Sequence, residues 1–230
     1  AFREFIAKVR EGGVIVTDTS NETITPVLEG CEHKVIDYRE FLNLNITMKQ
    51  PGMHNRLNAA AALAVASIEK ISTHTAQTAI EQFTGTWRRF EYKGECNGAP
   101  VYDDYAHHPT AIRLTVAAAR EQYPDKRIVI AFQPHTYSRT AALFEDFAKA
   151  LATANRVVLL PIYGAREENV TGVSSRELAV KTLEHTRNVR FATSREEAVE
   201  DLKQTLTKDD VLVAMGAGKD IPSLAEELTK

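Results

Sequence analysis

Disulfide chemistry has almost no raw material here, since Cys31 and Cys96 are the only thiols in 230 residues. Two cysteines in a chain of this size give no disulfide framework, and the expectation is reduced, unpaired thiols in a cytoplasmic setting. No stretch reaches the ~18 apolar residues of a membrane span, and the amino terminus lacks the layout of a secretion signal. An excess of one charge is missing too. The 28 Lys and Arg set against 31 Asp and Glu leave a formal charge of -3. No general attraction to nucleic acid or to an anionic membrane is therefore expected. Glycine-lysine phosphate loops of the Walker type are absent. So is a strand followed by GxGxxG and an acidic residue at the usual offset, which argues against a nicotinamide dehydrogenase.

What remains is an ordinary globular composition, 43% hydrophobic and 26% charged, enough for one large domain or two modest ones. The opening "AFREFIAKVREGG" places Phe2, Phe5, Ile6 and Val9 at helical spacing before Gly12-Gly13, predicting a helix. A helix open at the first residue suggests the later portion of a longer polypeptide. "GVIVTD" at 13–18 reads as a buried strand and "CEHKVID" at 31–37 as a weaker one, while "LNITMKQPG" ends on a Pro-Gly turn signal. The alanine-rich 54–71 predicts a helix with Asn55 available as its cap, and 72–83 a smaller helix before Gly85. "TWRRFEYKG" at 86–94 marks the boundary between two domains. Beyond it strands and helices alternate strictly, with five apolar strands beginning "APVYDD", "KRIVIAFQP", "RVVLLPIY", "NVRFAT" and "DDVLVAMGAG". That rhythm predicts an α/β fold, a Rossmann-like parallel sheet with helices on both faces.

In such a sheet, ligands bind outside the carboxyl ends of the strands. Four strand ends carry polar clusters: "DDYAHH" at 103–108, "QPHTYSRT" at 133–140, "PIYGAREE" at 161–168 and "GAGKD" at 216–220. All four should crowd one edge. Plainer readings stand beside the functional one. Asp104 or Thr110 could cap the following helix, and the glycines at 216–218 could be a routine turn. His107, His108 and His135 invite a metal, yet no Cys/His set with zinc spacing accompanies them, so no metal site is expected. Arg139, at a helix start, faces the positive end of the helix dipole, which favours an anionic ligand as its purpose. In the first domain His54, Asn55 and Asn58 share the first turns of the alanine-rich helix, where carboxamides suit a nucleobase edge if they are not simply caps. Arg88 and Arg89 could hold phosphate or simply face solvent.

Taken together, "PGMHNRLNAAAALAVA", "WRRFE", "VYDDYAHHPTAI", "FQPHTYSRT" and "MGAG" resemble the Mur ligases in order and spacing, and within them the branch that joins L-alanine to UDP-N-acetylmuramate. The resemblance covers nearly the whole chain and is strongest over 51–140. It implies that residues 1–86 are the end of a central ATP-binding domain lacking its P-loop, and 88–230 a carboxyl-terminal Rossmann-like domain. The implied chemistry activates the muramoyl carboxylate with ATP as an acyl phosphate, which the amine of alanine then attacks, in a cytoplasmic step of peptidoglycan synthesis. By motif, His54, Asn55 and Asn58 should meet adenine, Arg89 the ribose or phosphates, and Asp104 the ribose hydroxyls. His135 and Arg139 should lie on the amino acid and the reacting groups, with Tyr105 and His108 lining the same pocket. The Mg²⁺ ligands and the P-loop belong to parts of the parent outside this chain, so the fragment alone should be inactive. Thr136 departs from the family, which commonly has an arginine there, and the stretch between 18 and 51 is short for a central domain. A ligase acting on a tripeptide, and a non-catalytic nucleotide- or amino-acid-binding module, are the alternative readings.

Overall fold

The computed structural model describes residues 1–42 and 46–230; the first two residues of "LNITMKQPG", 44 and 45, lie outside the described set. The chain forms two compact units, residues 1–84 and 85–230.

In the first unit, α1 (Phe2–Ile6) is followed by β1 (Val14–Thr17), α2 (Thr25–Leu28), β2 (Lys34–Asp37), a 3-10 turn (Tyr38–Phe41), α3 (Met53–Ile68) and α4 (Thr73–Gln82). β1 and β2 pair in parallel, Val14 opposite Lys34 through Thr17 opposite Asp37. The opening helix is shorter than its periodicity predicts. Phe2 and Phe5 are 71% and 70% exposed, and an apolar stripe left in water cannot offset the cost of helix nucleation. α3 buries Ala59, Ala60, Leu63 and Ala64, and its cap is Gly52 at φ 94 rather than Asn55. Gly52 takes a conformation a side chain would resist, which lets the helix begin three residues earlier. Ser72 caps α4 by accepting from the Thr75 N–H.

The second unit is a six-stranded sheet in the order β3-β4-β8-β5-β6-β7. Its strands are β3 (Glu91–Cys96), β4 (Ala99–Asp104), β5 (Arg127–Phe132), β6 (Arg156–Leu159), β7 (Val189–Phe191) and β8 (Asp210–Met215). Its helices are α5 (Pro109–Gln122), α6 (Tyr137–Ala142), α7 (Phe144–Leu151), α8 (Ser175–Leu183), α9 (Arg195–Thr205) and α10 (Asp220–Leu228). The five expected strands all form and run parallel. β3 is an addition: it pairs antiparallel with β4 across Asn97 and Gly98, both at positive φ. Asn-Gly between two strands is a strong short-range hairpin signal. The helical stretch after β5 breaks into α6 and α7 at Leu143, whose φ is -115.

Alternation along β5 explains both cores. Ile128, Ile130 and Phe132 point to one face, where Ile112, Val116, Phe147, Leu151 and Leu178 of α5, α7 and α8 close over them. Val129 and Ala131 point to the other, beneath Val199, Leu202, Leu224 and Leu228 of α9 and α10. Each such side chain taken out of water contributes about 1.5–3 kcal/mol. With both faces covered, the strands read as unbroken apolar runs. Among the described residues no helix is long and apolar enough to cross a membrane.

Candidate active site

Strand order decides which loops meet. β8 lies between β4 and β5, with Met215 opposite both Asp104 and Phe132. The Gly216 N–H donates to the Asp104 carbonyl at 3.1 Å, and the Gln133 N–H to that of Met215 at 3.0 Å. The loop after β6 joins from the other side: Thr136 N–H donates to the Tyr163 carbonyl and Tyr163 N–H to that of Pro134, both at 2.9 Å.

On this rim a string of rings forms. Tyr105 meets His107 edge-on at 5.2 Å, His107 meets His135 at 6.2 Å, and His135 lies 5.6 Å from Tyr163. Nη1 of Arg139 is 3.3 Å from Nδ1 of His135 and also from its carbonyl oxygen. Burial holds His135 below the ordinary histidine pKa, and the charge of Arg139 and then His107 push the same way. The guanidinium groups of Arg88 and Arg89 stack over the Tyr105 ring at 5.1 and 5.4 Å from its centre. Thus Tyr105, His135 and Arg139, singled out from sequence, come together. His107, weighed from sequence only as a metal ligand, joins them, as does Tyr163, whose only signal was its position at a strand end. Glu167 ties the loop after β6 to α6, accepting from the Ser138 N–H at 2.9 Å and hydroxyl at 2.6 Å, donors that hold its carboxyl below the usual range.

The two aspartates that end β4 face the interior. Asp104 accepts from the N–H groups of Phe90 and Ala106, both at 2.7 Å, and from the Thr115 hydroxyl at 3.4 Å. It does not cap α5, and neither does Thr110. That cap is His108, exposed, whose Nδ1 accepts from the Thr110 N–H at 3.3 Å. Asp103 is fully buried against Arg88, which is itself only 4% exposed. Burial pushes the Asp103 carboxyl above its ordinary value and Arg88 opposes the rise. Of the arginine pair, Arg88 is therefore interior and Arg89 exposed.

The glycines of "GAG" have a specific job. A Cβ on Gly216 would sit 2.7 Å from the Gln133 carbonyl oxygen, and one on Gly218 would overlap the Gln133 carboxamide. Gln133 Nε2 donates to Asp220 at 2.7 Å, and its buried Oε1 has no partner. Gln133, Tyr163, Gly164, Arg195 and Asp220 line a cavity of about 280 Å³ beside the rim. In the first unit, His54, Asn55 and Asn58 occupy the first turns of α3. Asn55 donates to the Pro51 carbonyl at 2.8 Å, and Asn58 is exposed. Among the described residues no three His, Cys, Asp or Glu side chains gather as a metal site.

The profile of the family described as "Mur ligase, glutamate ligase domain" matches residues 88–218. A UDP-N-acetylmuramate–L-alanine ligase of Agathobacter rectalis is 37% identical over 257 aligned positions, covering all of this chain and 56% of that protein. The solved UDP-N-acetylmuramate–alanine ligase of Thermotoga maritima superposes with a TM-score of 0.66 at 28% identity, covering 79% of this chain and 38% of that one. A MurF structure from Acinetobacter baumannii, at 16% identity and a TM-score of 0.73 over 99% of this chain and 54% of that one, shares the fold. The chain thus spans about half the length of its A. rectalis relative, 56%. With its Rossmann-like sheet and a family match that runs from the arginine pair to the glycine turn after β8, the chain belongs to the Mur ligase family.

Proposed function

We propose that this chain is the carboxyl-terminal portion of an ATP-dependent ligase that joins L-alanine to UDP-N-acetylmuramate in peptidoglycan synthesis. In this reading residues 1–86 close the central ATP-binding domain and 88–230 bring the amino acid. The observation that carries it is the convergence of Tyr105, His107, His135 and Arg139 at the carboxyl ends of β4 and β5.

Bound ATP would supply the γ-phosphoryl group that turns the muramoyl carboxylate into an acyl phosphate. The residues of this chain do the positioning. Arg139 offers a permanent positive charge to the alanine carboxylate or to the anion that develops during attack. His135, with Nδ1 turned to Arg139, offers its Nε2 proton to the same carboxylate or developing anion, and the alanine ammonium sheds its proton to water before its nitrogen attacks. Loss of phosphate then leaves the amide. Asn55 and Asn58, with His54 beside them, offer donors and acceptors to adenine, and exposed Arg89 a charge to ribose or phosphate. Asp104 fits a ribose contact less freely, since backbone N–H groups already engage both its oxygens. Among the described residues no three His, Cys, Asp or Glu side chains gather as an Mg²⁺ site, so its ligands are assigned to segments of the parent beyond this chain.

The test compares alanine with the muramyl tripeptide side chain as acceptor in the full-length parent, following phosphate release. Faster turnover of alanine supports the proposal, and faster turnover of the tripeptide overturns it. The 230-residue chain alone, given ATP, UDP-sugar and alanine, should release no phosphate.

A further inference from the structure

We infer that Arg88 is a positioning residue that builds the floor of the rim and holds Tyr105 in place. The inference deepens the ligase reading of the same site, and only its kinetic arm rests on that reading. Its Nε, its Nη2 and both of its main-chain polar groups are engaged. Its Nε donates to the two Asp103 oxygens at 3.0 and 3.3 Å. Its Nη2 reaches the Gly216 carbonyl at 2.5 Å, 128 residues away in sequence. The guanidinium lies 5.1 Å from the centre of the Tyr105 ring. On the main chain, Arg88 N–H donates to Glu91 at 2.8 Å, and the Arg88 carbonyl accepts from Tyr105 N–H at 2.8 Å.

One buried side chain thus joins the end of β4, the end of β8 and the first ring of the site. The ends of these neighbouring strands are tied by the Gly216 N–H to the Asp104 carbonyl, and the planar guanidinium, with donors in several directions, adds a second link between them. Lysine would keep the charge beside Asp103 but lacks the flat face and the forked donors. Arg88 also holds φ 54, a left-handed turn that carries its side chain inward while Arg89 remains exposed. A phosphate ligand needs an open guanidinium, and this one is enclosed.

The test is Arg88→Lys, read first by residue-resolved amide hydrogen exchange in the 230-residue chain. The Tyr105 and Gly216 amides should exchange about tenfold faster while Ile130 and Leu159 stay within about twofold, because the loss is local. Uniform acceleration, or none, overturns the inference. In the full-length parent the KM for the amino-acid acceptor should rise about tenfold with that for ATP within about twofold. A rise confined to ATP makes Arg88 a nucleotide ligand and overturns it. If Arg88→Lys fails to fold, Asp103→Asn keeps the volume and weakens the clamp. It should show the same local pattern at Tyr105 and Gly216, and uniform exchange there counts against the inference. Absence of ligase activity in the unmodified parent would sink the functional reading and leave the exchange result standing.

Discussion

Arg139 points Nη1 at Nδ1 of His135 across 3.3 Å. A guanidinium has donors only, so the imidazole nitrogen facing it must keep its lone pair, which assigns the proton of the neutral ring to Nε2. The same guanidinium thereby sets which nitrogen of its neighbour carries the proton.

The first prediction follows from that pair. His135 in the folded chain should titrate below the ordinary 6.5. As pH falls, the unfolded chain takes up the proton first, so this contribution to stability is complete above 6.5 and is lost as pH drops through the folded-state midpoint. Arg139→Gln should move the midpoint upward without reaching the ordinary value, because burial, the largest cause, remains. Proton-carbon NMR of the imidazole reads the change; an unmoved or lower midpoint contradicts it.

Asp104→Ala leaves the Phe90 and Ala106 amides without their acceptor, each buried donor costing about 1–3 kcal/mol. Urea unfolding should show the loss. In the parent it should also raise the KM for ATP, whereas Arg139→Ala should raise that for alanine or lower kcat. Matching kinetic signatures for the two variants would contradict the division of roles.

Gly218→Ala drives a methyl group into the Gln133 carboxamide and against Tyr163 Cβ, 3.3 Å away. Overpacking of this kind costs about 1–3 kcal/mol. Gln133→Ser in the same chain should recover part of it, and a double-mutant cycle measures the coupling. Strict additivity would show that the two do not meet.

Thr136 stands at φ 69 and ψ 142, unusual for a β-branched residue. Relief of ~1–3 kcal/mol of strain set against ~0.5–1 kcal/mol of added backbone entropy makes Thr136→Gly stabilising by about 1 kcal/mol. Thermal unfolding decides it, and a lower Tm would mean that this turn is not strained.

The sheet was legible because buried parallel strands announce themselves as short apolar runs, and the rim because polar residues stop each run. Other features depended on partners distant in sequence. Nothing in "WRRFE" distinguishes the arginine that turns inward from the one that stays outside; Asp103 and Gly216 decide. Asn55 looked like a cap because its type favours one, yet Gly52 at positive φ started the helix first. β3 was missed although Asn97-Gly98 signalled it, since its mixed polar sequence resembles a linker. The glycines of "GAG" looked like a turn and prove to be room made for Gln133.

The two margins of the sheet have a shared consequence. On one side β3 is interrupted by a register shift between Tyr92 and Gly94. On the other β7 is three residues long, and its Arg190 is drawn to Asp201 and Glu197. Neither margin offers the long, flat row of unpaired amides on which a second molecule could align. Fibril growth or strand exchange through this sheet would first have to dismantle a paired segment, so the second unit should resist that route to aggregation in concentrated preparations.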